Sequence, residues 1–270
     1  MNLLYCGDKN IEPGLWLSIM SILHHTKEEL SVYVMTMELV TEERSYERVT
    51  EACIQKLGTY LKKYNEKNSI VKIDVTDIFL NNAPIINIKT RFTPYCMLRL
   101  FADQVDVLPD KILYLDNDVI CRQDIKDFYE QDTDDVEFVG VLDYYGSWFF
   151  RKKFYKRDYI NSGVLLLNMK KIRESRLFER ARNMCALKKM FMPDQSALNK
   201  LAEKKRIAPR RYNEQRRLHE DTVLQHFTTS FRLFPILHHV TVKPWQFEKV
   251  HKVLKLHEYD ELFDEYTNSF

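Results

Sequence analysis

Apolar residues follow two rhythms along this 270-residue chain. Short continuous apolar runs predict strands at Asn2 to Cys6, Val32 to Thr36, Ile70 to Ile73, Ile112 to Leu115, Glu137 to Val141 and Val164 to Leu167. Between them the spacing changes to three or four residues. From Glu42 to Tyr64, the residues Tyr46, Val49, Cys53, Leu57 and Tyr60 recur on one side of a helix while charges fall on the others. Strands that are apolar on both faces and alternate with helices imply an α/β fold, a mostly parallel sheet covered by helices. No internal repeat or low-complexity tract breaks the pattern. After Pro209 the residues turn basic and aromatic with weaker periodicity, which reads as an excursion completing a site. The expected organisation is one domain over residues 1–250 and a helical tail over 251–270.

Composition narrows the class. A hydrophobic content of 45% fills a core, and a net charge of +2 with 30% charged residues argues by itself neither for nor against a nucleic acid; none is expected as a partner. The five cysteines are scattered, odd in number and never spaced as Cys-x-x-Cys, which argues against a disulfide framework or a zinc cluster and fits reduced thiols in a cytoplasm. The stretch Met1 to Asp8 has neither a basic leader nor a long apolar core, and no run approaches the roughly 18 apolar residues of a membrane span.

Chemistry concentrates where the apolar run Ile112-Leu113-Tyr114-Leu115 feeds into Asp116-Asn117-Asp118. A buried strand ending in Asp-x-Asp carries paired negative charge to the sheet edge where open α/β folds bind ligands. Close carboxylates repel unless a cation or several donors stand between them, and hard divalent cations serve that purpose. The competing reading is a turn or a helix cap. Cys6-Gly7-Asp8-Lys9-Asn10 leaves the first strand at the same edge, either as an ordinary turn or as a place where a ligand approaches the backbone. Asn161-Ser162-Gly163 precedes Val164-Leu165-Leu166-Leu167 and suits either a loop or hydrogen bonds to a polyol. Pro193-Asp194-Gln195-Ser196 opens a helical pattern in which Asp194 alone reads as an N-cap.

Among the histidines, His24 and His25 fit a helix C-terminus, while His219, His251 and His257 sit among charges. His226, after Val223-Leu224-Gln225, fits a core or strand position or a metal ligand, and the His238-His239 pair offers another imidazole. The basic runs at residues 151–157 and 210–217 suit anionic glycans, lipid headgroups or simple solvation. The mixed segment at residues 231–237 suits a peripheral membrane contact, at the inner face of a membrane, or core packing.

Taken in order, Leu4-Tyr5-Cys6-Gly7-Asp8-Lys9-Asn10, Tyr114-Leu115-Asp116-Asn117-Asp118, Asn161 to Asn168, Pro193-Asp194-Gln195 and Lys243-Pro244-Trp245 resemble glycosyltransferase family 8, the family of glycogenin and of bacterial lipopolysaccharide galactosyl- and glucosyltransferases. The resemblance covers nearly the whole chain. It implies a GT-A type, Rossmann-like fold, a UDP-glucose or UDP-galactose donor, a manganese (or magnesium) ion, a glycan or lipid-linked acceptor, and transfer with retention of configuration.

Carried over residue by residue, the resemblance makes Asp116, Asp118 and His226 the metal ligands. It puts Cys6, Gly7, Asp8, Asn10, Arg99, Asn117 and Lys243 on the donor nucleotide and diphosphate, and Asp143, Asn161, Asp194 and Gln195 around the transferred hexose. One departure stands out. The family commonly has His-Phe-x-Gly-x-x-Lys-Pro-Trp, whereas here Thr228 to Val242, without a glycine, separates His226-Phe227 from Lys243, which leaves His238 as the alternative ligand. Two other functions fit parts of the sequence: a haloacid-dehalogenase-type phosphatase, which shares Asp-x-Asp-x-Val but whose later Gly-Asp motif is missing here, and a non-catalytic nucleotide-sugar binding protein.

Overall fold

The computed structural model describes residues 1–88, 93–144, 158–232 and 238–269. The basic run at 151–157 and residues 233–237 of the mixed segment lie outside the described residues. Seven strands form one sheet in the order Lys205–Ala208, Phe138–Leu142, Ile160–Asn168, Lys111–Leu115, Asn2–Cys6, Ser31–Thr36, Ser69–Asp74. The two pairings of Ile160–Asn168 are antiparallel and the other four are parallel. The architecture is therefore the expected α/β one, with a mostly parallel sheet.

Alternation along the central strands explains their unbroken apolarity. Leu3, Tyr5, Leu113 and Leu115 pack into one core with Leu15, Ile19 and Leu57, whereas Leu4, Cys6, Ile112 and Tyr114 pack into a second with Leu98, Phe101 and Phe178. Each strand feeds a core on both faces. Helices Glu12–His25 and Glu51–Tyr64 cover the first face, and Pro94–Gln104, Leu177–Leu187 and Pro193–Leu201 cover the second.

Two sequence expectations need correction. The helix expected from Glu42 begins at Glu51, because Ser45–Tyr46 pairs as a short strand with Leu39–Val40 and Thr50 Oγ1 accepts the Cys53 N–H as an N-cap. Val49 shares the helical spacing without being helical; its N–H donates to Thr36 Oγ1. The strand Lys205–Ala208 escaped the apolar pattern because Lys205 and Arg206 lead it, which an edge strand tolerates.

Beyond Pro209 the chain returns to the site. Leu224–His226 pairs antiparallel with Val119–Cys121, directly after the Asp-x-Asp, so that His226 lies opposite Val119. The final helix, Asp260–Asn268, lies against the first: Glu265 pairs with His24 at 2.7 Å and accepts from the Tyr60 hydroxyl, and Phe263 stacks on Phe247 at 4.4 Å. Among the described residues no helix is long and apolar enough to cross a membrane.

The Thr50 cap gives a direct check on this fold. Thr50→Ala should lower stability by about 1 kcal/mol, read as a lower urea midpoint at unchanged slope.

Candidate active site

The strand Lys111–Leu115 ends by turning. The Asp116 N–H donates to Gly163 O at 2.8 Å, adding one rung to the ladder, and the Val119 N–H donates back to Asp116 O at 3.2 Å. Asp116 and Asp118 cap no helix, since the next one, Lys126–Tyr129, follows Ile125. Their carboxylates converge on the imidazole of His226, whose Nε2 is 3.2 Å from Asp118 Oδ1 and 3.7 Å from Asp116 Oδ2. The three side chains offer ligand atoms that all lie within 4.8 Å of one another. A Cβ on Gly163 would sit 2.1 Å from His226 Cε1 and 2.8 Å from Asp116 Oδ2, so only glycine lets these groups meet. Two carboxylates and one imidazole are a donor set that suits Mn²⁺, and this cradle fits a divalent cation.

Charge in the cradle is balanced on both flanks. Asp116 Oδ1 accepts from the Tyr114 hydroxyl at 2.6 Å and from Arg99 Nη2 at 2.9 Å, and the guanidinium lies 4.0 Å over the Tyr114 ring. Arg99 is buried and also donates to Cys96 O at 3.0 Å and to Ser162 O, with Asp194 Oδ2 at 3.4 Å from its Nε. It braces two carboxylates at once. Burial pushes the Asp118 carboxyl up, but the Lys243 ammonium and His226 outweigh that and hold it below the usual carboxylate range. Lys243 Nζ donates to Asp118 Oδ2 and to Phe227 O at 3.3 Å.

A second group of polar side chains lies beside the cradle because one strand is irregular. Pairing between Phe138–Leu142 and Ile160–Asn168 jumps from Gly140 opposite Leu165 to Val141 opposite Asn161. The irregularity leaves the Ser162 N–H to donate to Gln195 Oε1 at 3.0 Å and the Gly163 N–H to donate to Asn161 Oδ1 at 3.0 Å. Asn161 Nδ2 and Gln195 Nε2 both donate to Asp143 Oδ2 at 3.0 Å, and Ser162 Oγ donates to Asp194 Oδ2 at 3.1 Å. Asn161-Ser162-Gly163 is thus buried strand and not a loop. Asp194 is not an N-cap: Met192 precedes the helix without a side-chain cap, and the Asp194 carboxylate turns to Ser162 and Arg99. Burial raises the Asp194 carboxyl above its ordinary value, opposed by Arg99.

The first-strand motif forms the expected turn. Asp8 Oδ1 accepts the Asn10 N–H at 3.2 Å and Oδ2 accepts Asn10 Nδ2 at 2.7 Å, at the start of a helical turn over Lys9–Ile11. Burial raises the Asp8 carboxyl, with the hydrogen bonds from Asn10 working against it. Cys6 is buried, which pushes its thiol up to about 12 and removes it as a nucleophile at neutral pH. Gly7 is forced by Ile11, whose side chain would meet a Cβ at 2.4 Å. Asn117 packs at the N-terminal end of the first helix, where a Cβ on Gly14 would collide with Asn117 O at 2.4 Å and with the Trp245 ring at 2.6 Å.

Sequence reasoning offered Ser162 and Gly163 only a loop or hydrogen bonds to a polyol, and gave no role to Tyr114 or Asn213. The first three stood inside recognised motifs. Asn213, 1% exposed, stood in a basic segment with no periodic signal, yet its Oδ1 lies 3.1 Å from His226 Nδ1. The His238 side chain falls outside the described residues; its backbone forms the strand His238–Val240, paired with Ser230–Arg232. A separate cluster, His251, His257 and Asp260, lies near the C-terminus with both imidazoles hydrogen-bonded to the one carboxylate, and it includes none of the motif residues.

A mostly parallel sheet that ends in an Asp-x-Asp cradle beside a cluster of sugar-type hydrogen-bonding groups defines the GT-A class of glycosyltransferases. Its backbone is similar to that of LgtC: an active-site mutant of LgtC superposes with a TM-score of 0.72 at 20% identity, covering 100% of this chain and 96% of that one. The galactosyltransferase LgtC in complex with donor and acceptor sugar analogs gives 0.69 at 19% identity, with full coverage of both chains. The family model for glycosyl transferase family 8 matches residues 2–249, and the chain belongs to that family, whose enzymes retain anomeric configuration. A lipopolysaccharide 1,2-glucosyltransferase of Escherichia coli is 24% identical over 297 aligned positions, which cover 95% of this chain and 82% of the relative. Family membership sets the phosphatase reading aside.

Gly163→Ala tests the cradle. The added methyl group must displace His226 or Asp116, so Mn²⁺ affinity should fall by at least tenfold, measured by titration of the folded variant.

Proposed function

We propose that this enzyme transfers a hexose, glucose or galactose, from a UDP-sugar to a hydroxyl of a glycan or lipid-linked acceptor, with retention and with a divalent cation, preferably Mn²⁺. The observation that carries the proposal is the convergence of Asp116, Asp118 and His226 beside the hydrogen-bonded group Asp143, Asn161, Asp194 and Gln195. The activities of the relatives, lipopolysaccharide 1,2-glucosyl transfer and galactosyl transfer, support the donor class.

Asp116, Asp118 and His226 would hold the cation, which when bound offsets the negative charge of the donor diphosphate. Lys243 stands on the far side of Asp118 as a second positive charge for the phosphate oxygens as the glycosidic bond breaks. Asp8 and Asn10, at the neighbouring sheet edge, receive the nucleoside. Asp143, Asn161 and Asp194 bind sugar hydroxyls and orient the anomeric carbon. Gln195 is a weak nucleophile and its amide is held between Ser162 and Asp143. Attack of the acceptor on the leaving-group face, with the departing phosphate taking the acceptor proton, therefore accounts for retention more simply than a covalent intermediate. Arg210, Arg211, Arg216 and Arg217, in the basic segment that follows the last sheet strand, suit an anionic glycan or lipid headgroup as acceptor. On this reading the enzyme works in the cytoplasm, at the inner face of the membrane.

Three outcomes follow. Asp118→Asn keeps side-chain size but removes a ligand charge, so Mn²⁺-dependent hydrolysis of UDP-glucose or UDP-galactose should drop by about 10²–10³-fold; undiminished turnover removes the proposed site, and a wild-type chain that never hydrolyses any UDP-sugar favours a binding protein. His226→Ala should weaken Mn²⁺ binding in the presence of UDP far more than His238→Ala; the reverse order would move the third ligand next to Lys243. Proton NMR of early transfer product should show the α configuration of the donor, and a β linkage would contradict the proposal.

A further inference from the structure

We infer that Asn213 is a positioning residue that fixes which nitrogen of His226 faces the cation, an inference that rests on the metal-site reading above. One backbone group fixes the donors and acceptors of the whole relay. The Gly163 N–H can only donate, so the Asn161 side-chain atom facing it at 3.0 Å must be Oδ1, which agrees with Asn161 Nδ2 donating to the Asp143 carboxylate at 3.0 Å. The same Asn161 Oδ1 lies 3.0 Å from the Asn213 amide, so that end of Asn213 must be its Nδ2 donor. The other end, Oδ1, then faces His226 Nδ1 at 3.1 Å and can only accept. Nδ1 must carry a proton. Nε2 is left as the nitrogen directed at Asp116 and Asp118, and in the neutral ring it carries the lone pair a metal needs.

Burial makes this chain of inference rigid. Asn213 is 1% exposed and Asn161 8%, and the Asn213 backbone is tied at both ends, its N–H donating to Arg210 O at 2.9 Å and its carbonyl accepting from Gln215 Nε2 at 3.3 Å. Water cannot readily substitute for the amide. A histidine ligand whose second nitrogen is held by a fixed acceptor keeps both its ring orientation and its basicity, and losing that acceptor typically costs 10- to 100-fold in metal affinity. Through Asn161 the same relay reaches Asp143, so the residues assigned to the cation and to the sugar share one hydrogen-bonded frame.

The test compares Asn213→Leu, which is close in size but has no acceptor, with Asn213→Asp, which keeps an acceptor for His226 while turning an oxygen toward Asn161 Oδ1. Free Mn²⁺ is followed by electron paramagnetic resonance as MnCl₂ is titrated into the full chain with saturating UDP, and thermal melts are run in parallel. Asn213→Leu should bind Mn²⁺ 10- to 100-fold more weakly, and Asn213→Asp should stay within a few-fold of the parent although it melts no higher than the leucine variant. A purely structural role would make affinity follow melting temperature, with Asn213→Asp no better than Asn213→Leu, and that result overturns the inference, as does parent-like affinity in Asn213→Leu. Asp118→Asn serves as the control: if it leaves Mn²⁺ binding unchanged, the metal-site reading itself has failed, and if only Asp118→Asn loses binding, the site stands and the role of Asn213 falls.

Discussion

Two carboxylates one residue apart at the end of a buried strand repel each other, and the rest of the site is organised around that repulsion. Two like charges about 4 Å apart cost on the order of 4 kcal/mol at a protein-like dielectric, so Asp116 and Asp118 cannot stay ionised together without compensation. Arg99 and the Tyr114 hydroxyl take one oxygen of Asp116, Lys243 takes one oxygen of Asp118, and His226 faces the two that remain. The compensating groups come from four parts of the chain, the strand Lys111–Leu115, the helix Pro94–Gln104 and the segments around Leu224–His226 and Lys243. The charge cluster is complete only with the C-terminal third folded against the strand that carries the two carboxylates. A cation held between the open oxygens and His226 would supply the remaining positive charge.

Sheet geometry places the second half of the site. The register jump in Ile160–Asn168 leaves the Ser162 and Gly163 N–H groups to side-chain acceptors and brings Asn161 to Asp143, and the absence of a side chain at Gly163 leaves room for His226. A regular antiparallel strand would have spent those N–H groups on its neighbour. The irregularity thus anchors Gln195 and Asn161 with backbone donors, which are harder to displace than side chains. Arg99 then joins the two halves, since the same guanidinium touches Asp116 and Asp194.

Much of this was legible in the residues because burial and chemistry coincide. The six apolar runs became strands, with Val164 to Leu167 extended back through polar Ser162 and Asn161 to Ile160; the central strands are apolar because both their faces are covered, while Ser69–Asp74 at the sheet edge is only partly so. The Asp-x-Asp stood out because charge rarely follows such a run. What stayed hidden depended on contacts distant in sequence. Tyr46 and Val49 kept helical spacing, yet pairing with Leu39–Val40 decided the conformation around Tyr46. Lys205–Ala208 is a strand only because Phe138–Leu142 leaves an edge to fill. Asn213 carries no pattern of its own; its place is set by His226 and Asn161, which lie 13 and 52 residues away.

The central claim is that Asp116, Asp118 and the Nε2 of His226 form one cation site beside the hydrogen-bonded group Asp143, Asn161, Asp194 and Gln195. Anomalous diffraction at the manganese edge, from crystals grown with MnCl₂ and UDP, addresses it most directly. The account predicts a single strong peak within coordination distance of both carboxylates and of His226 Nε2. A peak at His251, His257 and Asp260 alone, or a peak on Asp118 with His226 turned away, would contradict it.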